Sequence, residues 1–183
     1  MKKLSVFVIC AVLCSCASVQ SIIKSSFPYT ATFAIPASSS TGNSQTTVSM
    51  GSSFDQNFSK SGNNADRVKD VHIASARLQA TDPRDFNIGN LQSAKVYMAR
   101  ANGQGEVMVA SRTDIGANVG SSLVLDIDNS VLLDELVREK SVRVKMVYVL
   151  RNKTEVKASL KVSLGISASA NTAKSGAAAE GTK

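Results

Sequence analysis

The chain has little of the inventory from which most catalytic and metal sites are built. Its 183 residues include one histidine, no tryptophan and three cysteines, and all three cysteines lie within the first 16 positions. That leaves too little for a zinc site of Cys/His pairs or for an enzyme with a histidine-activated nucleophile. If the first 16 residues do not belong to the fold, a disulfide framework is excluded as well. We therefore expect a protein that is not an enzyme and that binds no metal.

Aromatic residues are also scarce, with six Phe and three Tyr. Proteins that bind sugars or single-stranded nucleic acid usually stack their ligands on exposed aromatic rings, so this scarcity weighs against both classes. Tyr29, Tyr97 and Tyr148 each lie in a predicted strand among apolar neighbours. We predict that they are core or boundary residues, and that the protein binds no nucleic acid.

The first 15 residues have the layout of a secretory signal. Met1-Lys2-Lys3 is basic, residues 4–13 are apolar, and small residues follow. The apolar run is about half the 20 residues that a membrane-spanning helix needs. We predict that residues 1–15 are removed as a signal peptide.

The end of this segment, Leu13-Cys14-Ser15-Cys16, resembles the lipobox of bacterial lipoproteins, with Cys14 where Ala or Ser is usual. The resemblance implies that Cys16 becomes the new N-terminus and carries a diacylglyceryl thioether and an N-acyl chain. These covalent groups are the only cofactor expected. An ordinary secretory cleavage nearby is the alternative. Two or three acyl chains anchor a protein firmly, whereas a single chain binds only reversibly.

A lipobox followed by a small Ser/Thr/Asn-rich β-domain resembles the small, uncharacterised lipoproteins of Bacteroidota envelopes. In lipoprotein sorting, an Asp after the modified cysteine favours the inner membrane, and here Ala17 and Ser18 follow Cys16. The resemblance therefore implies the outer membrane, and the lack of an acidic run after Cys16 favours its periplasmic face. Because no catalytic set accompanies the anchor, we expect a protein partner in the envelope.

The rest of the chain divides into a tether, a body and a tail. Residues 16–28 form the lipidated cysteine and its tether, and residues 29–167 form one domain. Residues 168–183 are rich in Ala, Ser, Gly and Lys, and we predict that this tail is disordered because it cannot bury enough apolar surface. Strands are predicted at 29–35, 45–51, 70–80, 92–101, 106–112, 121–127, 141–151 and 155–167.

Strict alternation of apolar and polar residues in the last two strands indicates an antiparallel sheet with one face in water. Residues 141–151 and 155–167 are predicted to form a hairpin through Asn152-Lys153, and 29–35 and 45–51 a second hairpin. Residues 130–140, with an apolar stripe from Val131 to Val137, predict a short helix that crosses between two sheets. The predicted fold is an all-β, Greek-key sandwich of about eight strands with one crossover helix.

Positive charge is concentrated near the C-terminal end of the body. Eight Lys and Arg residues lie between Arg138 and Lys161, against two Glu. In the predicted hairpin, Arg143, Lys145, Lys157 and Lys161 would share the outer face. Such a patch could bind an anionic glycan or lipid, which is the alternative to a protein-binding function. Lysines on edge strands also discourage aggregation, which would explain the same residues without a ligand.

Three further features have simple structural explanations. The only histidine, His72, is predicted to be a half-exposed strand residue. Asp126 and Asp128 lack the spacing of a calcium loop, and Asp128 and Asn129 are explained by a strand exit and a helix cap. The 81–86 segment is predicted to form a turn from which Phe86 folds back onto the core.

Overall fold

The computed structural model describes residues 22–24, 28–37, 39–52 and 65–171. The predicted signal peptide, Cys16 and the tail from residue 172 onward lie outside the described residues. Among the described residues, no helix is long and apolar enough to cross a membrane.

In the part of the chain that the structure describes, ten antiparallel strands form two sheets that pack face to face, as the predicted sandwich requires. In the first sheet, the long strand β10 pairs on one side with both β1 and β2, and on the other side with β4, which pairs with β7. Its strands are β1 (Ile22–Lys24), β2 (Tyr29–Ile35), β4 (Val68–Asp82), β7 (Ser122–Val124) and β10 (Ala158–Ala170).

The second sheet has the order β3-β9-β5-β6-β8. Its strands are β3 (Ser44–Ser52), β5 (Leu91–Arg100), β6 (Val107–Arg112), β8 (Asp126–Ile127) and β9 (Ser141–Leu150). Among the described strands, β5 and β6 are the one consecutive pair that hydrogen-bond to each other. Apart from the connection between β1 and β2, which both pair with β10, the remaining connections pass between sheets or skip strands, so the prediction of a sandwich rather than a meander is confirmed.

Alternation along the strands determines which side chains form the core. In β9, Val142, Val144 and Met146 are buried, and the intervening residues face solvent. In β10, the apolar residues from Ala158 to Ile166 are buried in the same way. The core lies between the two inner faces, as expected for stacked sheets about 10 Å apart.

Two irregularities in β4 keep its apolar residues on the inner face. The register against β10 shifts between Ser75 and Ile73, and again between His72 and Lys69. Each added residue restores the phase, so that Val71, Ile73 and Ala76 are all buried. Asp70, in the second irregularity, has φ of +55°, a conformation that Asp adopts more readily than most residues.

Both predicted hairpins are wrong. β9 lies in the second sheet and β10 in the first, and β2 and β3 are divided in the same way. Residues 151–157 and 36–43 therefore pass from one sheet to the other. The alternation in β9, and in β10 from Ala158 onward, was interpreted correctly, but alternation does not determine which strand becomes its neighbour.

The predicted crossover helix is also wrong. Residues 128–140 contain only a short 3₁₀ turn, Leu136–Arg138, and no α-helix. A two-turn helix depends on tertiary contacts, and here those contacts favour an irregular segment with this single turn. The passage between sheets takes place instead at the buried residue Leu125, between β7 and β8.

The ends of the domain differ from the predicted boundaries. β1 lies within the segment predicted as a tether, and it pairs with residues Ser167–Ser169 of β10. β10 runs to Ala170, three residues beyond the predicted end of the domain at residue 167. It also starts at Ala158 rather than at 155, which leaves Val156 exposed.

Candidate functional site

The four residues of the predicted basic patch do not share a face. Arg143 and Lys145 lie on the outer face of the second sheet, since their neighbours in β9 point into the core. Lys161 lies on the outer face of the first sheet, and Lys157 is exposed just before β10. The sandwich separates the two pairs, because the hairpin that would have joined them does not form.

Lys145 is committed to contacts within the protein. Its Nζ forms an ion pair with Glu106, and it lies 4.5 Å from the centroid of the Tyr97 ring. Its side chain retains only 21% of its exposure. These contacts connect β9 to β5 and to the 101–106 turn, so they stabilise the outer face and leave little of the lysine available to a ligand.

The outer face of the second sheet ends in an open edge, which we call the β3 edge and define as Ser44–Ser52. Among the described residues, β3 pairs with β9 alone, in continuous register from Ser44↔Val149 to Ser52↔Ser141. It contains no charged residue, no proline and no bulge. Natural edge strands usually carry at least one of these features, because unpaired backbone groups are a template for another strand.

The β3 edge also presents apolar side chains to solvent. Val48 and Met50 are 43% and 54% exposed and point away from the core, opposite Lys145 and Arg143 of β9. On the inner side of the same strand, Thr47 and Ser49 are polar. The usual arrangement of apolar inside and polar outside is thus reversed along this strand.

The other side of the sandwich has no comparable edge among the described strands. β7 and β8 are only three and two residues long. β8 also contains the charged Asp126, which pairs with Arg112 at 3.0 Å. Short, charged edges are poor templates for strand addition. The two sides of the sandwich therefore differ in their capacity to accept another chain.

A second surface feature is an open groove at one end of the sandwich, which we call the end groove. Its volume is about 570 Å³. It is lined by Arg100, Gly105, Val107, Val131, Leu132, Asp134, Glu135 and Leu136. Val131 and Leu132 are exposed, whereas the next residue, Leu133, is buried in the core. The apolar stripe predicted for a helix is therefore divided between core and solvent.

Arg100 holds one wall of the end groove in place. Its guanidinium lies 2.7 Å from Glu135 and 3.2 Å from Glu139. This clamp ties the end of β5 to residues 128–140. Both carboxylates pair with the same guanidinium, whose single positive charge offsets one of their two negative charges.

The remaining candidates have structural explanations. His72 is half-buried between buried neighbours, and Phe86 is buried against the core, so both predictions are confirmed. Tyr29 and Tyr148 are buried, and Tyr97 is at the boundary, as predicted.

The Ser130 N–H donates to Asp128 at 2.9 Å and holds the pKa of that carboxyl below its usual value. Within the described ranges, no cluster of three or more His, Cys, Asp or Glu is placed to hold a metal.

Sequence reasoning located β3 as a strand but missed its position at an edge. The available signal was a charge-free strand in which Val48 and Met50 alternate with Thr and Ser. A central strand of a sheet can show the same alternation, so the pattern does not identify β3 as an edge strand.

No known protein-family model matches the chain, and no curated protein matches it in sequence. The functional assignment therefore depends on the residues and the geometry described above.

Proposed function

We propose that the protein is a lipid-anchored, non-catalytic component of a bacterial outer membrane that binds an extended segment of a protein partner along the β3 edge. The observation that carries this proposal is the combination found at Ser44–Ser52. The strand is nine residues long, uncharged and unbulged, and it has exposed apolar side chains. An added strand would gain main-chain hydrogen bonds, and Val48 and Met50 would supply apolar contacts on one face.

The anchor in this proposal depends on Leu13-Cys14-Ser15-Cys16, with Cys16 carrying the diacylglyceryl and N-acyl groups. The outer membrane is the proposed location because Ala17 and Ser18 follow the modified cysteine, and its periplasmic face is favoured because no acidic run follows Cys16. We do not extend the proposal to anionic ligands, since Arg143 and Lys145 are separated from Lys157 and Lys161 by the whole sandwich.

Partner binding is tested by isolating the tagged, full-length protein from detergent-solubilised envelopes. We expect a stoichiometric partner with the wild type. The double variant Val48→Lys/Met50→Lys should lose this partner, because charges on the edge oppose strand addition. Val124→Lys, at an exposed position of the short edge strand β7, is the matched control and should retain it. Retention by the double variant would reject the β3 edge, and repeated recovery of the wild type alone would reject partner binding.

Lipidation is tested separately with Cys16→Ala. This variant should appear in the soluble fraction and should not be labelled by a fatty-acid analogue. Persistent labelling would refute the modification at Cys16.

A further inference from the structure

The end groove lies at the end of the sandwich from which the chain leads back to Cys16. We propose that this end rests on the bilayer and that Val131 and Leu132 enter the lipid interface. The inference depends on the proposed lipidation of Cys16, and it adds an orientation and a second, non-covalent membrane contact.

The chain between Cys16 and β1 is short. β1 pairs with the last residues of β10, with Ile22 opposite Ser169. Only residues 17–21 separate Ile22 from Cys16. Six Cα-to-Cα steps span at most about 20 Å even when fully extended. An acylated Cys16 therefore holds this end of β10 within about 20 Å of the lipid headgroups.

Residues 128–140 lie at the same end. Ala170 of β10 pairs with Val68, so the start of β4 lies beside the end of β10. The Leu133 N–H donates to the Val71 carbonyl at 2.8 Å, and Arg138 lies 3.7 Å from Asp66. β1 and β4 flank β10 on opposite sides, two strand spacings apart, or about 10 Å. The exposed Val131 and Leu132 therefore lie near the point where the anchor is attached.

Two adjacent apolar side chains are exposed at this end of the sandwich. Val131 and Leu132 are 49% and 55% exposed, and they are consecutive in the chain. Beside them the end groove offers further apolar wall from Val107 and Leu136. Transfer of these two apolar side chains from water into the lipid interface is favourable. The anchor promotes this transfer because it holds the side chains close to the membrane.

The charges at this end are compatible with an apolar rather than an electrostatic contact. Arg100 pairs with both Glu135 and Glu139, and Arg138 pairs with Asp66, so acidic and basic side chains alternate at this end. Asp134 accepts a hydrogen bond from the Val71 N–H at 3.1 Å. Because no field of one sign dominates, the contact should form on zwitterionic lipid and should be insensitive to salt.

The other exposed apolar side chains provide the controls. Val156 is 53% exposed and lies just before β10, at the opposite end of the sandwich. The 13 residues of β10 separate the two ends by about 40 Å. Val48 lies midway along the β3 edge, where the proposed partner requires access from water.

The experiment uses the mature lipoprotein reconstituted in phosphatidylcholine vesicles. The mature chain has no thiol other than Cys16, which the lipid occupies, so Leu132→Cys, Val156→Cys and Val48→Cys can each be labelled with an environment-sensitive dye. We expect the dye at position 132 to shift to the blue and to lose quenching by aqueous iodide, at low and high salt alike. The dyes at positions 156 and 48 should remain in water.

Each outcome has a separate meaning. If the protein carries the fatty-acid label but the dye at position 132 stays in water, the membrane contact is refuted while the anchor stands. Burial of the dye at position 48 or 156 would also refute it, since the sandwich would then lie on another face. If the fatty-acid label is absent, the proposed anchor fails, and the orientation fails with it.

Discussion

The side-chain amide of Asn129 binds both backbone groups of Ile73. Its Oδ1 accepts from the Ile73 N–H at 3.1 Å, and its Nδ2 donates to the Ile73 carbonyl at 3.0 Å. One amide side chain thus replaces a peptide group of a neighbouring strand. β7 pairs with β4 only from Arg77 to Gln79. Asn129 forms hydrogen bonds with β4 beyond this paired stretch, on the side of the end groove.

We expect Asn129→Ala to lower the free energy of unfolding by about 1–3 kcal/mol, because it leaves two partly buried backbone groups without partners. Urea denaturation monitored by circular dichroism would measure the change. Asn152→Ala is the matched control, since Asn152 makes one long, exposed contact at 3.4 Å with Asn90. Its effect should stay within about 0.5 kcal/mol. Equal effects of the two substitutions would contradict the role given to Asn129.

A second prediction concerns the packing of two connections at the end opposite the groove. A Cβ at Gly89 would overlap the backbone carbonyl of Ala117, which cannot move aside as a side chain can. We expect Gly89→Ala to destabilise the fold by about 1–3 kcal/mol or more. Gly116→Ala adds the same methyl group where it would meet only Val119 Cγ1 at 3.5 Å, and it should be close to neutral. Thermal unfolding of the two variants tests the difference, and a neutral Gly89→Ala would show that the loops repack.

A third prediction concerns the separated basic residues. Lys145 is engaged by Glu106 and by the Tyr97 ring, whereas Lys161 has no ion pair with any described residue. We expect Lys145→Gln to cost about 1 kcal/mol of stability and Lys161→Gln less than about 0.5 kcal/mol. Denaturant midpoints of both variants would measure this, with the Lys145→Gln cost reduced at high salt. A larger effect at Lys161 would mean that the contacts of Lys145 contribute nothing.

A fourth prediction concerns alkaline stability. Burial raises the pKa of Tyr148 above its usual value of 10.0, although a hydrogen bond from Ser39 opposes the shift. Its hydroxyl donates to Gln45 at 3.2 Å. Because the folded protein retains the phenol proton longer, the stability from this group is present below about pH 10 and is lost as the pH rises through the folded-state pKa.

We therefore expect the wild type to lose more stability than Tyr148→Phe between about pH 9.5 and pH 11. Urea midpoints over this range, taken as the difference between the two proteins, isolate the contribution of Tyr148. Parallel curves would show that Tyr148 ionises equally in the folded and unfolded states.

Much of the fold was predictable because burial leaves a local signal. The alternation in 141–151 correctly predicted that Val142, Val144 and Met146 face the core. This alternation depends only on residues two apart in the chain.

The candidate surfaces were not predictable, because they depend on which strands become neighbours. A connection as short as residues 151–157 can join paired strands about 5 Å apart or stacked sheets about 10 Å apart, and both solutions bury the same side chains. The sequence therefore favoured a basic hairpin, whereas β9 and β10 lie in different sheets.

The same reasoning explains the segment from Asn129 to Val137. Its apolar residues suit a helix, but the open side of β4 offers backbone groups to which the side chains of Asn129 and Asp134 bond when the segment is irregular. The sequence by itself determined the strands and their inner faces through alternation. Only the tertiary structure decided that β3 is an edge and that Val131 and Leu132 are exposed, because both depend on contacts between residues far apart in the chain.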